Sequence, residues 1–234
     1  MPDMYTNIIK DFDRLKNAEK AVVYTRFFKT GKGEYGEGDV FLGLTVPQQR
    51  SIAKKYYELS LTDLQKLLNS KIHEHRLVSL FILVEKYKKA NDKDKKKIVG
   101  FYLKNTKKIN NWDLVDLSAD KILGDFISNK DKSIIYKLAK SDNLWEKRIS
   151  VLSTFAFIRK GMFTDALRIY EIHLGDKHDL IHKAVGWMLR ELGKRDLRKE
   201  IAFLDKNSKT MPRTMLRYAI ERFDPAKRSF YLNK

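Results

Sequence analysis

Cysteine is absent from the 234-residue chain, and proline and glycine are scarce, with 4 and 11 occurrences. The absence of cysteine excludes disulfide frameworks, thiolate nucleophiles, cysteine-ligated zinc and iron–sulfur clusters. The scarcity of proline and glycine favours long helices over a turn-rich β protein. No apolar run approaches the roughly 20 residues that a membrane span requires, and Met1–Lys10 lacks the apolar stretch of a signal peptide. We therefore expect a cytoplasmic protein that does not cross a membrane.

Positive charge is in clear excess. The chain has 48 Lys and Arg against 30 Asp and Glu, which gives a formal net charge of +18. An excess of this size predicts an anionic partner, which can be nucleic acid, an anionic membrane surface or an acidic protein. Apolar residues make up 43% of the chain, enough to bury a sizeable core.

Apolar residues recur at helical spacing along almost the whole chain. The stripe in 61–68 follows a capping box, formed by Ser60 and Asp63, that predicts where its helix begins. Pairs of such helices begin near residues 62, 94, 131, 163 and 196. This spacing of roughly 32–37 residues is the length of two helices and two short turns. The sequence therefore predicts an all-α solenoid of stacked helix pairs.

A glycine-rich segment at residues 30–46 lies outside this pattern. Gly31 to Gly36 spell G-x-G-x-x-G, a spacing found in dinucleotide-binding sites. That interpretation also requires a preceding strand and a helix that follows at once, whereas here the next helix is expected only around Pro47. We predict a loop that joins an N-terminal helix to the first repeat.

The histidines offer a weak alternative function. His178 and His182 are four residues apart on a predicted helix, with His173 upstream, a possible spacing for metal ligands. No acidic third ligand follows at a recognisable spacing, and His73 and His75 are spaced wrongly for one helix face. We expect no metal site.

Four stretches together carry a family resemblance. They are FLGLTVPQQR (41–50), NNWDLVDLSADKILG (110–124), SDNLWEKRISVLSTFAFIRKG (141–161) and DLIHKAVGWMLRELGKR (179–195). The chain resembles the AlkD-type DNA alkylation repair glycosylases, and 211–223 is similar to the larger branch of that family. The resemblance implies a superhelical solenoid of HEAT-like antiparallel helix pairs, which agrees with the periodicity. It also implies a single domain over residues 1–234.

The resemblance implies a specific activity. Similar family members hydrolyse the N-glycosidic bond of N3- and N7-alkylated purines, such as 3-methyladenine and 7-methylguanine, in base excision repair. They use no metal and no cofactor, and they are described as acting without flipping the lesion into a pocket. We therefore expect a monofunctional DNA glycosylase whose partner is double-stranded DNA containing alkylated purines, and which acts as a monomer.

The family motifs assign functional residues by position. The W-D-x-V-D motif implies catalytic roles for Trp112 and Asp116, and K-A-x-G-W-x-L-R-E implies one for Trp187. The S-D-N-x-W-x-x-R motif assigns a supporting, DNA-binding arginine to Arg148. A family aromatic residue that is usually Tyr falls on Phe27, which lacks the hydroxyl.

Simple chemistry supports these assignments. Trp112 and Asp116 are four residues apart, so they project from one face of a helix that Asn110 or Asn111 can cap. A carboxylate stabilises the positive charge that develops on the deoxyribose as the bond breaks, and indole faces add cation–π attraction. Arg148 can bind a phosphate with two hydrogen bonds.

Ordinary structural roles remain open for the same residues. A tryptophan on an amphipathic helix is often part of the core, an aspartate near a helix start often interacts with the helix dipole, and Arg148 can form a surface salt bridge. Trp145 lies outside the family set, and we assign it to the core. The alternative function is a non-catalytic solenoid that binds structured or branched DNA, or a scaffold.

The basic excess is concentrated near the C-terminus. Residues 183–234 contain 14 Lys and Arg against six Asp and Glu. Contacts from such residues to phosphates determine affinity and salt dependence but do not read the base sequence. The candidates for binding the DNA backbone are Lys183, Arg190, Arg213 and Arg217.

Overall fold

The computed structural model describes residues 3–234, and the chain divides into two compact units, Met1–Ser118 and Ala119–Lys234. Helices account for most of the described residues, and the only strand-like pairing among them is an isolated bridge between Val40 and Ile72. The all-α prediction is confirmed. No helix within residues 3–234 is long and apolar enough to span a bilayer. The single domain over 1–234 stays a prediction.

The first unit is built around one long buried helix. Its helices are α1 (Met4–Arg14), α2 (Ala18–Phe27), α3 (Val46–Lys55), α4 (Leu61–Leu68), α5 (His73–Lys89), α6 (Asp92–Lys104) and α7 (Trp112–Asp116), with a 3₁₀ turn at Thr106–Lys108. α5 is the central helix, and α3, α4, α6 and α7 pack against it. Because α5 has neighbours on several sides, it is apolar around most of its circumference from Leu77 to Val84.

Local signals in the sequence determine where these helices begin. The hydroxyl of Ser60 accepts a hydrogen bond from the backbone N–H of Asp63 at 3.1 Å, so the predicted N-terminal cap of α4 is confirmed. The repeats predicted to begin near residues 62 and 94 coincide with the first residues of α4 and α6, Leu61 and Asp92.

The second unit has two central helices. It begins with a π-helical turn at Asp120–Gly124 and continues with α8 (Asp125–Ile127), α9 (Ser133–Ala139), α10 (Leu144–Arg159), α11 (Thr164–Ile172), α12 (Asp179–Gly193), α13 (Leu197–Asn207), α14 (Arg213–Ala219), a 3₁₀ turn at Ile220–Arg222, and α15 (Pro225–Asn233). α9, α11 and α12 pack on α10, while α13 and α14 pack on α12. The repeats predicted to begin near 131, 163 and 196 match α9, α11 and α13.

Two glycines allow very close packing in the second unit. A Cβ atom at Gly186 would lie 2.4 Å from the carbonyl oxygen of Met215, and one at Gly124 would lie 2.2 Å from that of Ser153. Both distances are far inside van der Waals contact. The backbones of α12 and α14 therefore approach at a position that admits only glycine, one residue before Trp187.

The glycine-rich segment is a loop, as predicted. Between residue 3 and the segment there is no strand, and α3 begins at Val46. Gly43 has a φ of +85°, and a Cβ there would lie 2.1 Å from the carbonyl oxygen of Asn17, so the loop packs directly on the start of α2. The carboxylates of Glu34 and Glu37 accept hydrogen bonds at 2.8 Å from the N–H groups of Gly31 and Gly33. The backbone N–H groups of Gly31 and Gly33 are thus hydrogen-bonded to carboxylates of the same loop.

Candidate functional site

The short helix α7 carries two of the predicted catalytic residues. Oδ1 of Asn111 accepts a hydrogen bond from the N–H of Trp112 at 2.8 Å, so Asn111 caps the helix as expected from the sequence. Trp112 is the first residue of α7 and Asp116 the last, and both are half-buried. Their shared position on a capped helix is confirmed, while their catalytic roles stay a prediction.

Aromatic rings surround the indole of Trp112 in the first unit. Phe28 stacks on it with a centroid distance of 5.2 Å and an interplanar angle of 17°. Phe27, the last residue of α2, meets it edge-on at 5.9 Å and is 61% exposed. The structure therefore brings together Phe27 and Trp112, two residues that the family resemblance implies are functional.

This ring cluster continues into the interior. Phe28 stacks on Phe41 at 5.0 Å, and Phe41 stacks on the imidazole of His73 at 4.7 Å. Phe28 also lies 4.9 Å from His73. A series of rings therefore leads from the half-buried Trp112 to a histidine that is 2% exposed.

His73 lies between two buried carboxylates. Its Nδ1 is 3.2 Å from Oδ2 of Asp39, and its Nε2 is 2.8 Å from Oδ2 of Asp113. Arg76 donates to Oδ1 of Asp39 at 2.6 Å, and Nδ2 of Asn111 donates to Oδ2 of Asp39 at 3.2 Å. We refer to these five residues as the His73 network, and all of them are at least nine-tenths buried.

The His73 network has a defined charge state. Burial alone would lower the pKa of His73, but the charge of Asp113 and the hydrogen bonds to Asp113 and Asp39 outweigh it and raise the pKa to about 9. Burial also works against ionisation of Asp39, yet the hydrogen bond from His73 and the charge of Arg76 keep the pKa of that carboxyl below its ordinary value. His73 is therefore a cation at neutral pH.

Sequence reasoning missed this network. The sequence-based hypotheses treat His73 and His75 only as possible metal ligands and assign no functional role to Asp113. A usable signal was present, because residues 73–76 place four polar side chains directly before the mostly apolar stretch 77–84 of the same helix. Glu74, 1% exposed, accepts hydrogen bonds from the backbone N–H groups of 42–44 in the loop before α3.

The second unit holds the other predicted catalytic tryptophan. Trp187 lies on α12, is half-buried, and donates from Nε1 to Oε1 of Glu191 at 3.3 Å. Its ring centroid is 6.3 Å from that of Phe155. Trp145 is 7% exposed, which confirms its assignment to the core.

Arg148 lies in the interior of the second unit. It lies on α10, whose N-terminal cap is Asn143, and is 5% exposed. Its Nη1 donates to the carbonyl oxygen of Leu180 at 2.5 Å. This burial does not fit the alternative of a surface salt bridge, and the phosphate contact implied by the resemblance stays a prediction.

The basic candidates of the second unit differ in their surroundings. Lys183 pairs with Asp179 at 2.6 Å, and Arg190 forms an ion pair with Glu221. The exposed Arg213 donates to the carbonyl oxygen of Leu232 at 2.5 Å. Arg217 is also exposed.

The histidines considered as metal ligands have other contacts. Nδ1 of His178 accepts from the N–H of Leu180 at 3.1 Å and so caps α12. Nε2 of the buried His173 is 3.3 Å from the hydroxyl of Ser150. Within residues 3–234 no group of three or more His, Cys, Asp and Glu side chains is arranged to hold a metal ion.

Comparison with known proteins identifies the family. The family model described as DNA alkylation repair enzyme matches residues 8–223, and the chain belongs to this family. The solved structure described as a predicted DNA alkylation repair enzyme from Enterococcus faecalis is similar, with a TM-score of 0.68 and 14% identity over 90% of this chain and 97% of that one. That likeness concerns the fold. Curated proteins give no significant match.

Family membership defines a general role. The chain is a member of a family of enzymes that repair alkylated DNA, and DNA is the substrate that this role implies. The family resemblance drawn from the sequence motifs is thereby confirmed.

Proposed function

We propose that this protein is a monofunctional DNA glycosylase that hydrolyses the N-glycosidic bond of cationic N3- and N7-alkylated purines, such as 3-methyladenine and 7-methylguanine, in duplex DNA. One observation carries the proposal: in a chain of the alkylation repair family, α7 presents the carboxylate of Asp116 one helical turn from the indole of Trp112. The proposal includes action as a cytoplasmic monomer and a single domain over residues 1–234.

The chemistry follows from the charge of the lesion. The bond between C1′ and the purine nitrogen breaks, its electron pair goes to the base, and the base leaves neutral. Positive charge then develops on the deoxyribose, and the carboxylate of Asp116 stabilises it electrostatically. Asp116 also positions the water whose oxygen bonds to C1′ and whose proton is released to solvent. Because the cationic base is a good leaving group, no covalent nucleophile is required.

The aromatic residues bind the sugar and backbone at the lesion. Each indole face, at Trp112 and Trp187, contributes cation–π attraction of about 0.5–2 kcal/mol towards the charged centre. Phe27, exposed beside Trp112, extends this apolar surface without contributing a hydroxyl. Phosphate contacts from Arg148 and the basic residues of 183–234 do not depend on the identity of the base. The selectivity for alkylated purines therefore comes from the weakness of the glycosidic bond to a cationic base.

Base release tests the proposal. Purified protein is incubated with N-methylated duplex DNA, and free 3-methyladenine and 7-methylguanine are measured by chromatography. We expect release by the wild type and a fall on the order of 100-fold for Asp116→Asn. Asp92→Asn, which removes an exposed carboxylate from the start of α6, is the matched control and leaves release unchanged.

Two outcomes contradict the proposal in different ways. Equal release by the wild type and by a folded Asp116→Asn variant overturns the role of this carboxylate. Salt-sensitive DNA binding without release by the wild type overturns the glycosylase activity and supports a non-catalytic DNA-binding protein instead.

A further inference from the structure

Both chain neighbours of Trp112 are buried and tied to the same group of residues. Asn111 is 0% exposed and Asp113 is 7% exposed. The side chain of Asn111 caps Trp112 with its oxygen and binds Asp39 with its nitrogen. Asp113 accepts from the N–H of Leu114 with one oxygen, and its other oxygen faces His73.

We propose that His73, bridging Asp39 and Asp113, is the positioning residue that fixes α7 and so holds the indole of Trp112 and the carboxylate of Asp116 in place for glycosidic bond cleavage. The inference rests on the proposed glycosylase function for its catalytic consequence. His73 acts through α7, since its ring is buried beneath the aromatic cluster and its polar contacts are within the network.

The hydrogen-bond pattern requires a doubly protonated ring. Both ring nitrogens face carboxylate oxygens, which only accept, so each nitrogen must carry a proton. The groups facing His73 are Asp39 from the loop, Arg76 from its own helix, Asp113 and Asn111 from α7 and its cap, and the rings of Phe28 and Phe41. Two carboxylates are then balanced by two cations, whereas a neutral His73 would leave one buried negative charge uncompensated.

The stacked rings of Phe28 and Phe41 also connect His73 directly to the indole of Trp112. The plane of Phe28 is within 17° of that of Trp112 and within 18° of that of Phe41, and Phe41 lies within 25° of His73. A tilt or shift of His73 is therefore passed to Trp112 through two packed rings as well as through the backbone. Reacting groups misplaced by about 1 Å can lose on the order of 100-fold in rate.

This inference also gives the glycine-rich segment a role. The segment contributes Asp39 to the His73 network, and the carboxylate of Glu74 accepts hydrogen bonds from the backbone N–H groups of its residues 42–44. Gly43 lets this stretch lie directly on the start of α2. The segment therefore supplies a carboxylate beneath α7.

The first experiment compares two histidines on the same helix. His73→Gln keeps a donor but loses the charge and the second hydrogen bond. His75→Gln changes a buried histidine of the same helix whose ring packs on Phe12 and whose Nδ1 lies 3.1 Å from the hydroxyl of Ser70. Single-turnover base release should fall by about 10- to 100-fold in His73→Gln, with unchanged affinity for undamaged duplex, and should stay at the wild-type level in His75→Gln.

A double variant separates the proposed effect from simple misfolding. His73→Gln combined with Asp113→Asn removes one buried cation and one buried anion, so charge balance is restored, and a donor still faces an acceptor. This double variant should regain most of the base release that His73→Gln loses. In a background with Trp145→Phe and Trp187→Phe, fluorescence reports on Trp112 alone. There His73→Gln should lower the anisotropy of Trp112 and increase its quenching by acrylamide, and the combined variant should reverse both changes.

The protonation state of His73 can be measured directly in the wild type by NMR. The ring ¹⁵N signals of His73 are assigned by comparison with variants that lack one of the other histidines. Their chemical shifts at pH 7.5 should show that both ring nitrogens carry a proton. A singly protonated ring overturns the proposal, as does a folded His73→Gln variant with wild-type release and unchanged Trp112 fluorescence. If the wild type releases no base, the glycosylase function fails, and the fluorescence and NMR results still decide whether His73 positions Trp112.

Discussion

Nε2 of His73 lies 2.8 Å from Oδ2 of Asp113, and both side chains are removed from solvent. This pair couples the long helix α5 to the short helix α7 on which the proposed chemistry depends. Because the pair is buried, its stability depends on the proton that His73 carries.

The first prediction concerns stability against pH. The pKa of His73 is raised from its ordinary 6.5 to about 9 in the folded protein. The stabilisation from this group is therefore fully present below pH 6.5 and is lost as the pH rises through 9. Urea unfolding at pH 6, 7.5 and 9 should show a larger loss of unfolding free energy in the wild type than in His73→Gln. Parallel pH profiles for the two proteins would contradict this.

A second titrating group lies in the other unit. Glu200, on α13, is 2% exposed, and its Oε1 has no hydrogen-bond partner among residues 3–234. Burial raises the pKa of this carboxyl to about 8, although the charges of Lys227 and Arg190 act in the opposite direction. The folded protein thus holds a proton that the unfolded chain releases near pH 4.5, and stability is lost as the pH rises from 4.5 through 8.

Removing this charge should stabilise the protein. Glu200→Gln is expected to raise the unfolding free energy at pH 8 by about 1–3 kcal/mol, and the gain should nearly vanish at about pH 3.5, where the wild-type carboxyl is largely protonated in both the folded and the unfolded state. Thermal unfolding followed by circular dichroism at both pH values measures this. The exposed Glu58→Gln is the control and should show no such gain. A Glu200→Gln variant less stable than the wild type at pH 8 would be the opposite of the expected result.

Close packing at Gly186 gives a third prediction. An added methyl group there meets the carbonyl oxygen of Met215 at 2.4 Å and Cβ of Tyr218 at 2.5 Å, and neither position can yield easily. Gly186→Ala should therefore cost about 1–3 kcal/mol or more of unfolding free energy. Gly100→Ala on α6 has open space around the new methyl group, and should be neutral or stabilising by about 0.5–1 kcal/mol. Equal melting temperatures for the two variants would refute the assigned packing.

The fourth prediction concerns DNA affinity. If the exposed Arg217 contacts a phosphate, Arg217→Ala should weaken binding to all duplex sequences alike. It should also reduce the slope of log affinity against log salt by about 0.9. Lys97→Ala, which removes an exposed cation already paired with Asp94 on α6, is the matched control. Fluorescence anisotropy titrations at several salt concentrations give both slopes, and identical slopes for wild type and Arg217→Ala would remove this residue from the interface.

Much of the fold could be predicted because its signals are local. The cap at Ser60, the apolar stripe in α4 and the spacing of the helix starts each depend on residues within one or two helices. The position of Trp112 and Asp116 on α7 was predictable for the same reason, since a cap residue and a four-residue spacing define it.

The His73 network could not be predicted in this way. Asp39 and Asn111 are separated by 72 positions in the chain, and only the packing of the loop, α5 and α7 brings them together. The spacing of His73 and His75 carries no information about those partners. Likewise, the buried Arg148 donates to the carbonyl oxygen of Leu180, 32 positions away, a partner that the local sequence does not indicate.

The most direct test of the central claim compares two lesions in one duplex sequence. One oligonucleotide carries a single 7-methylguanine, whose base is cationic, and the other a single O6-methylguanine, whose base is neutral. The proposed mechanism predicts single-turnover release of 7-methylguanine by the wild type, strongly reduced release by Asp116→Asn, and no release of O6-methylguanine. Binding of both duplexes without release of 7-methylguanine would contradict the account.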